Sequence, residues 1–158
     1  MSKKVYFLEI DEEDLDEYLI GIHSVKESFE IAFYLNRTAN ARFKKTSDNL
    51  SNEKRQGLFD QFKWLDTKTD LECTLFSNKW VQENKTASSN NNNTLFEMPI
   101  RNELSLLPEF KHIDFFIKSN HFQIINLLQT RLKMWSEVSL VYEIEMETIR
   151  NRMNLIFD

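Results

Sequence analysis

The residues best suited to chemistry lie in one short run, LPEFKHIDF from Leu107 to Phe115, where Glu109, His112 and Asp114 follow a single proline. Two carboxylates and an imidazole this close could act as general acid and base, or supply an oxygen and nitrogen metal site. Pro108 fixes its own φ and pushes Leu107 toward extended backbone, so Glu109 leaves a rigid corner just ahead of the strand that holds Asp114. The same residues have a structural reading, and it carries more weight. A carboxylate beside a tight corner accepts backbone N–H groups left over by the turn, and a strand aspartate pairs with a neighbouring cation. Arg37, Arg42, Arg101 and Lys111 are the expected partners. No second dense cluster of His, Cys or acidic residues completes an active site, so the balance leans away from an enzyme, and no metal or cofactor is expected.

Other reactive types are scattered. His23 falls at the end of an apolar run and His121 at the start of a helical one, without the four-residue spacing of paired metal ligands. Two glycines in the whole chain leave little from which to build a phosphate loop or a nucleophile elbow. The lone cysteine, Cys73, sits in an alternating apolar run and reads as a small buried hydrophobe, with a reactive thiol as the minor reading. The carboxylates between Glu9 and Glu17 lack the alternation and central glycine of a calcium loop and read as a solvated, repulsive turn. FKWLD and LFSNKW place Trp64 and Trp80 near Lys63 and Lys79, which would suit single-stranded RNA stacking on sheet aromatics. Alternation already explains most of these aromatics as core, and a net charge of −5 with pI near 5.3 argues against nucleic acid as a partner.

The elements that must position these groups follow from periodicity. At 158 residues, with 13 Phe and few glycines and prolines, residues 1–158 are expected to form a single domain with a full core. Two short strands are expected over 5–10 and 18–23. Ser24 with Glu27 is expected to cap a helix carrying Phe29, Ala32, Phe33 and Asn36 on one face with Ile31 and Leu35 beside it. Asn40 is expected to end that helix in a left-handed conformation before ARFKKT runs extended. Phe62 and Trp64 alternate before the turn DTKTD, and Leu71, Cys73 and Leu75 after it, which predicts a hairpin. Residues 83–94, with four consecutive Asn, have the composition of a flexible loop. Ile113, Phe115 and Ile117 then predict a strand, and Asn120 with Gln123 the cap of a helix with the stripe Ile124, Ile125, Leu128 and Leu132. A strand with Val138, Leu140, Tyr142, Ile144 and Met146 on its inner side follows, and a final helix over 148–157 that buries Ile149, Met153, Ile156 and Phe157. The sum is an α+β fold. Its antiparallel or mixed sheet has helices on one face, and two strand-helix-strand units flank a hairpin in the spirit of a ferredoxin-like arrangement.

Leu107, Pro108, Glu109, Ile113, Asp114 and Phe115 together resemble the signature of the IPExxxVDY family, an apolar residue, Pro and Glu followed after three positions by an apolar residue, Asp and an aromatic. The similarity extends to LIGIHS, to FYLNRT with Leu35 and Asn36, to the hairpin and to the terminal NLIF; it departs at Asn40, where members carry Gly, and at the Asn-rich insertion. The resemblance implies small bacterial relatives and assigns no activity. The start MSKKVYFLEIDEED has too short an apolar stretch for a secretory signal, and no apolar run approaches a membrane span, so a cytoplasmic location is expected. The function expected is that of a non-enzymatic module that binds another protein or forms a homodimer through an apolar sheet face or the proline corner. The alternatives are a small hydrolase or ligand-binding enzyme built on Glu109, His112 and Asp114, and a single-stranded RNA binder.

Overall fold

A computed structural model of the chain describes residues 17–46, 50–52, 55–84 and 100–150. The chain runs from β1 (Tyr18–Ser24) through α1 (Ser28–Thr38) to β2 (Lys44–Lys45), then makes a small ribbon of β3 (Leu50–Asn52) and β4 (Arg55–Phe59). The hairpin of β5 (Gln61–Asp66) and β6 (Leu71–Ser77) follows, then a second ribbon of β7 (Lys79–Asn84) and β8 (Ile100–Ser105). A 3-10 turn at Pro108–Phe110 leads into β9 (Phe115–Ser119), α2 (Phe122–Lys133) and β10 (Val138–Ile144). Six strands form the main sheet in the order β10-β1-β9-β6-β5-β2, every neighbour antiparallel. The fold is therefore α+β as expected, with β1-α1-β2 and β9-α2-β10 on either side of the β5–β6 hairpin.

The central strands are buried on both faces, which is why LIGI, TLF and FFI are nearly continuous apolar runs. On one face Ile20, Ile22, Leu75 and Ile117 meet Ile31 and Leu35 of α1 and Ile125, Leu128 and Leu132 of α2. On the other, Leu19, Phe76, Phe116 and Ile144 are covered by Phe59, Leu106, Leu107 and Ile113. The hairpin register sets Phe62 opposite Leu75 and Trp64 opposite Cys73, so their side chains share one face. Asn40 at φ 52 makes the expected left-handed exit from α1, and Asp70 at φ 54 closes the hairpin turn.

Four local expectations are corrected. The α1 cap lies one turn later: the Glu30 carboxylate accepts the Glu27 N–H at 2.8 Å, while Ser24 Oγ donates to the Glu137 carbonyl. The buried stripe of α1 is Ser28, Ile31, Ala32 and Leu35, and Phe29 and Phe33 are 60% and 66% exposed. Both stripes are apolar, and the tighter packing of β-branched and small residues against the sheet decides between them. Asn120 does not cap α2; it bridges to the hairpin turn, accepting the Glu72 N–H at 2.9 Å and donating to the Asp70 carbonyl at 2.7 Å. In β10, Leu140 is 52% exposed while Val141 and Ile144 are buried. Val141 pairs with Ile22 and so shares the helix-covered face, whereas the opposite face is covered only at the Ile144 end.

The expected strand over 5–10, most of the acidic segment, the Asn-rich stretch beyond Asn84 and the last eight residues lie outside the described residues. Where the final helix was expected to begin, Met146–Thr148 form a 3-10 turn and Ile149 is extended at φ −84 and ψ 116. Ile149 is nonetheless buried in the core.

Candidate functional site

The proline corner is built around Asn78, the residue at the β6–β7 turn that periodicity gives no reason to notice. Its side chain is fully buried. Nδ2 donates to the Phe110 and Ile113 carbonyls at 2.9 Å each, and Oδ1 accepts the Leu107 N–H at 2.8 Å. Its main chain donates to the Asp114 carbonyl and accepts the Leu106 N–H. Two carbonyls on one side and an N–H on the other leave the amide a single satisfying orientation. Around this template Leu107 is extended before Pro108, as the proline requires, and Leu107 and Ile113 enter the core. The closeness of that packing explains a glycine: a Cβ at Gly21 would meet Ile113 Cδ1 at 2.8 Å and Ile144 Cδ1 at 3.0 Å.

Two of the three candidate catalytic side chains, Glu109 and Asp114, are engaged with different groups. Glu109 accepts the Arg150 N–H at 3.1 Å. Asp114 accepts the Ser24 N–H at 3.0 Å through one oxygen and pairs with Lys79 Nζ at 2.9 Å through the other, where β1 breaks register at His23 and Ser24. His112 is exposed. The partner placed beside Asp114 is Lys79, not one of the four cations expected from sequence. Lys79 also lies 3.7 Å from Glu103, which ties the β7–β8 ribbon to the same carboxylate cluster. Among the described residues no three His, Cys, Asp or Glu come together as a metal site.

The hydrogen bond from Lys79 to Asp114 raises the lysine pKa above its ordinary 10.5, against the opposing effect of burial and with further attraction from Asp114 and Glu103. A raised folded-state value means that the ammonium contributes stability fully below the unfolded pKa and loses it as pH climbs through the folded one. The stability difference between the wild type and Lys79→Met is thus expected to stay level from neutral pH to about pH 10 and to shrink above it. Urea unfolding across that range would detect the change, and a difference that stays level well above the folded lysine pKa would show that the pair is not what Lys79 contributes.

The remaining reactive residues are structural. Cys73 is fully buried, and burial pushes its thiol up to about 12, partly offset by a hydrogen bond with Ser119. Alkylation at about pH 8 is expected to be negligible in native protein and complete in denaturant, because the thiolate is the reactive form; rapid native labelling would contradict this burial. His23 Nε2 lies 3.1 Å from the Tyr142 hydroxyl, whose pKa burial raises, and His121 precedes α2 with Nε2 3.2 Å from the Asp70 carbonyl. Trp64 packs on the helix-side core in a T-shaped contact with Phe43, and Trp80 packs against the opposite core. Neither tryptophan stands clear as a stacking platform.

The exposed aromatic surface lies elsewhere, on α1. Phe29 and Phe33, one helical turn apart, border a groove of about 510 Å³ with Glu30, Tyr34, Arg37 and Trp135. Tyr34 stacks on Trp135 with centroids 4.1 Å apart and planes 10° from parallel, and its hydroxyl donates to the Arg131 carbonyl at 2.9 Å. One wall is therefore held rigid by α2 while the phenylalanines stand in solvent.

The fold and this surface define an α+β protein with a six-stranded antiparallel sheet, two helices on one face and an exposed aromatic groove along α1. Among the described residues no helix is long and apolar enough to cross a membrane. Comparison with protein-family models, curated proteins and solved structures found no match to this chain.

Proposed function

We propose that this chain is a cytoplasmic, non-enzymatic protein-binding module of the family its proline signature resembles, and that it binds through the aromatic groove of α1. One observation carries the reading: two phenylalanines on a single helix face are more than half exposed beside a pre-organised Tyr34–Trp135 wall. Exposed large apolar groups grouped in a groove mark interaction sites, whereas scattered ones do not. The central strands of the sheet are covered by the helices and by the corner, with Leu65 and Leu140 exposed singly on outer strands, and Leu107 and Ile113 of the signature are inside. The surface for docking is therefore the helix and not the signature.

The enzymatic alternative draws its support from Glu109, His112 and Asp114, and the contacts of Glu109 and Asp114 are those of residues that close a corner and a strand end. The RNA alternative needs Trp64 and Trp80, both packed on cores. The discriminating experiment is native co-purification of tagged full-length chain with two variants, Phe29→Ser/Phe33→Ser and Glu109→Gln/Asp114→Asn. Loss of a bound protein in the first and its retention in the second supports the groove; the reverse pattern moves the site to the corner and sinks this reading.

A further inference from the structure

The groove carries a charge pattern as well as an apolar one. Phe29, Phe33 and Arg37 follow each other at four-residue steps along α1, with Glu30 and Tyr34 on the adjoining row. Arg37 is exposed and makes no ion pair among the described residues, while the Glu30 carboxylate, which accepts the Glu27 N–H, lies 4.0 Å from Lys26 Nζ at the rim of the groove. An acid and a base two turns apart on one apolar face are complementary to the same face turned end for end. In an antiparallel pair with the axis between Phe33 and Tyr34, each Arg37 faces the Glu30 of the other helix. This arrangement forms two salt bridges across the interface. Parallel pairing would set Glu30 on Glu30 and Arg37 on Arg37, which repels.

We propose that the occupant of the groove is a second copy of this chain, with α1 packed antiparallel on α1 across a two-fold axis, an inference that rests on the groove being the binding surface. Such an interface is isologous, so one patch supplies both sides of every contact and each substitution acts twice. A partner of other chemistry would have to bring both an acid for Arg37 and an apolar filling for Phe29 and Phe33; the copy brings both at the required spacing.

The test is sedimentation analysis of the full chain over a concentration series, with circular dichroism confirming that each variant is folded. The wild type is expected to be dimeric, and Phe33→Glu to weaken self-association at least roughly 100-fold, because a central aromatic is replaced twice by a charge. Arg37→Glu and Glu30→Lys are each expected to be monomeric alone, since each sets like charges together twice, and to form a dimer when mixed, since each then meets an opposite charge. Phe33→Ser is the control if a charge at the patch unfolds the helix. A dimer indifferent to all of these variants overturns the assignment to α1. A monomeric wild type that retains a partner lost on Phe33→Ser overturns the second copy but leaves the groove as a binding surface. A monomer that retains nothing overturns both.

Discussion

Replacing Asn78 with alanine is expected to destabilise the protein by about 3–5 kcal/mol, because the buried Leu107 N–H and Ile113 carbonyl lose their partner and the Phe110 carbonyl keeps only the Ile113 N–H. The Leu107 N–H and the Phe110 and Ile113 carbonyls all end on this one amide. A typical domain has only about 5–15 kcal/mol in total, so the loss would show as a large fall in the urea midpoint. Asn78→Asp separates the hydrogen bonds from the packing. The substituted side chain keeps the volume and the acceptor for Leu107, yet aims an oxygen at the two carbonyls that Nδ2 now serves. Its carboxyl should be held protonated by that environment, so the variant should lose stability as pH rises above about 4, where the unfolded chain ionises and the folded one resists it. A cost below about 1 kcal/mol for Asn78→Ala would mean that the corner holds itself together and that Asn78 is not its template.

Two phenylalanines of identical chemistry should answer in opposite ways. Phe116 is fully buried on the central strand β9, stacked with Phe76 at 5.4 Å and met edge-on by Phe110 at 6.3 Å. Phe116→Ala is expected to cost about 3–5 kcal/mol, from the lost transfer of the ring out of water and from the cavity left behind. Phe33→Ser removes a ring that is already two-thirds exposed and should change monomer stability by no more than about 0.5–1 kcal/mol. Thermal and urea unfolding of the two variants side by side would test the contrast. If Phe33→Ser destabilised the isolated chain as severely as Phe116→Ala, α1 would be packed differently and the aromatic groove would not be a surface.

Much of the architecture was legible because it is written in local periodicity. Alternation in FKW and LECTL announced the hairpin, Asn40 the left-handed helix exit, and the stripe Ile125, Leu128 and Leu132 the inner face of α2. The signature was legible as a place and only partly as a mechanism. A corner carboxylate taking a backbone N–H and a strand aspartate paired with a cation are both present, at Glu109 and Asp114. The cation is Lys79, because β7 leaves the sheet at Asn78 and swings its first residue under Asp114, a meeting across 35 positions that no spacing rule encodes.

The surface reading depended on a choice the chain does not make for itself. Helix α1 carries two overlapping apolar rows, and hydrophobicity alone cannot say which meets the sheet. Sequence by itself determined the two helices, the β5–β6 hairpin, the α+β class and the scarcity of catalytic parts, since these depend on residue type and short-range spacing, while the β3–β4 and β7–β8 ribbons had no such signal. Only the tertiary structure decided that Ile31, Ala32 and Leu35 go inside and Phe29 and Phe33 stay out, and that a buried asparagine holds the proline corner. Helix phase and long-range hydrogen bonding are set by the neighbours available in three dimensions, and those neighbours come from distant parts of the chain.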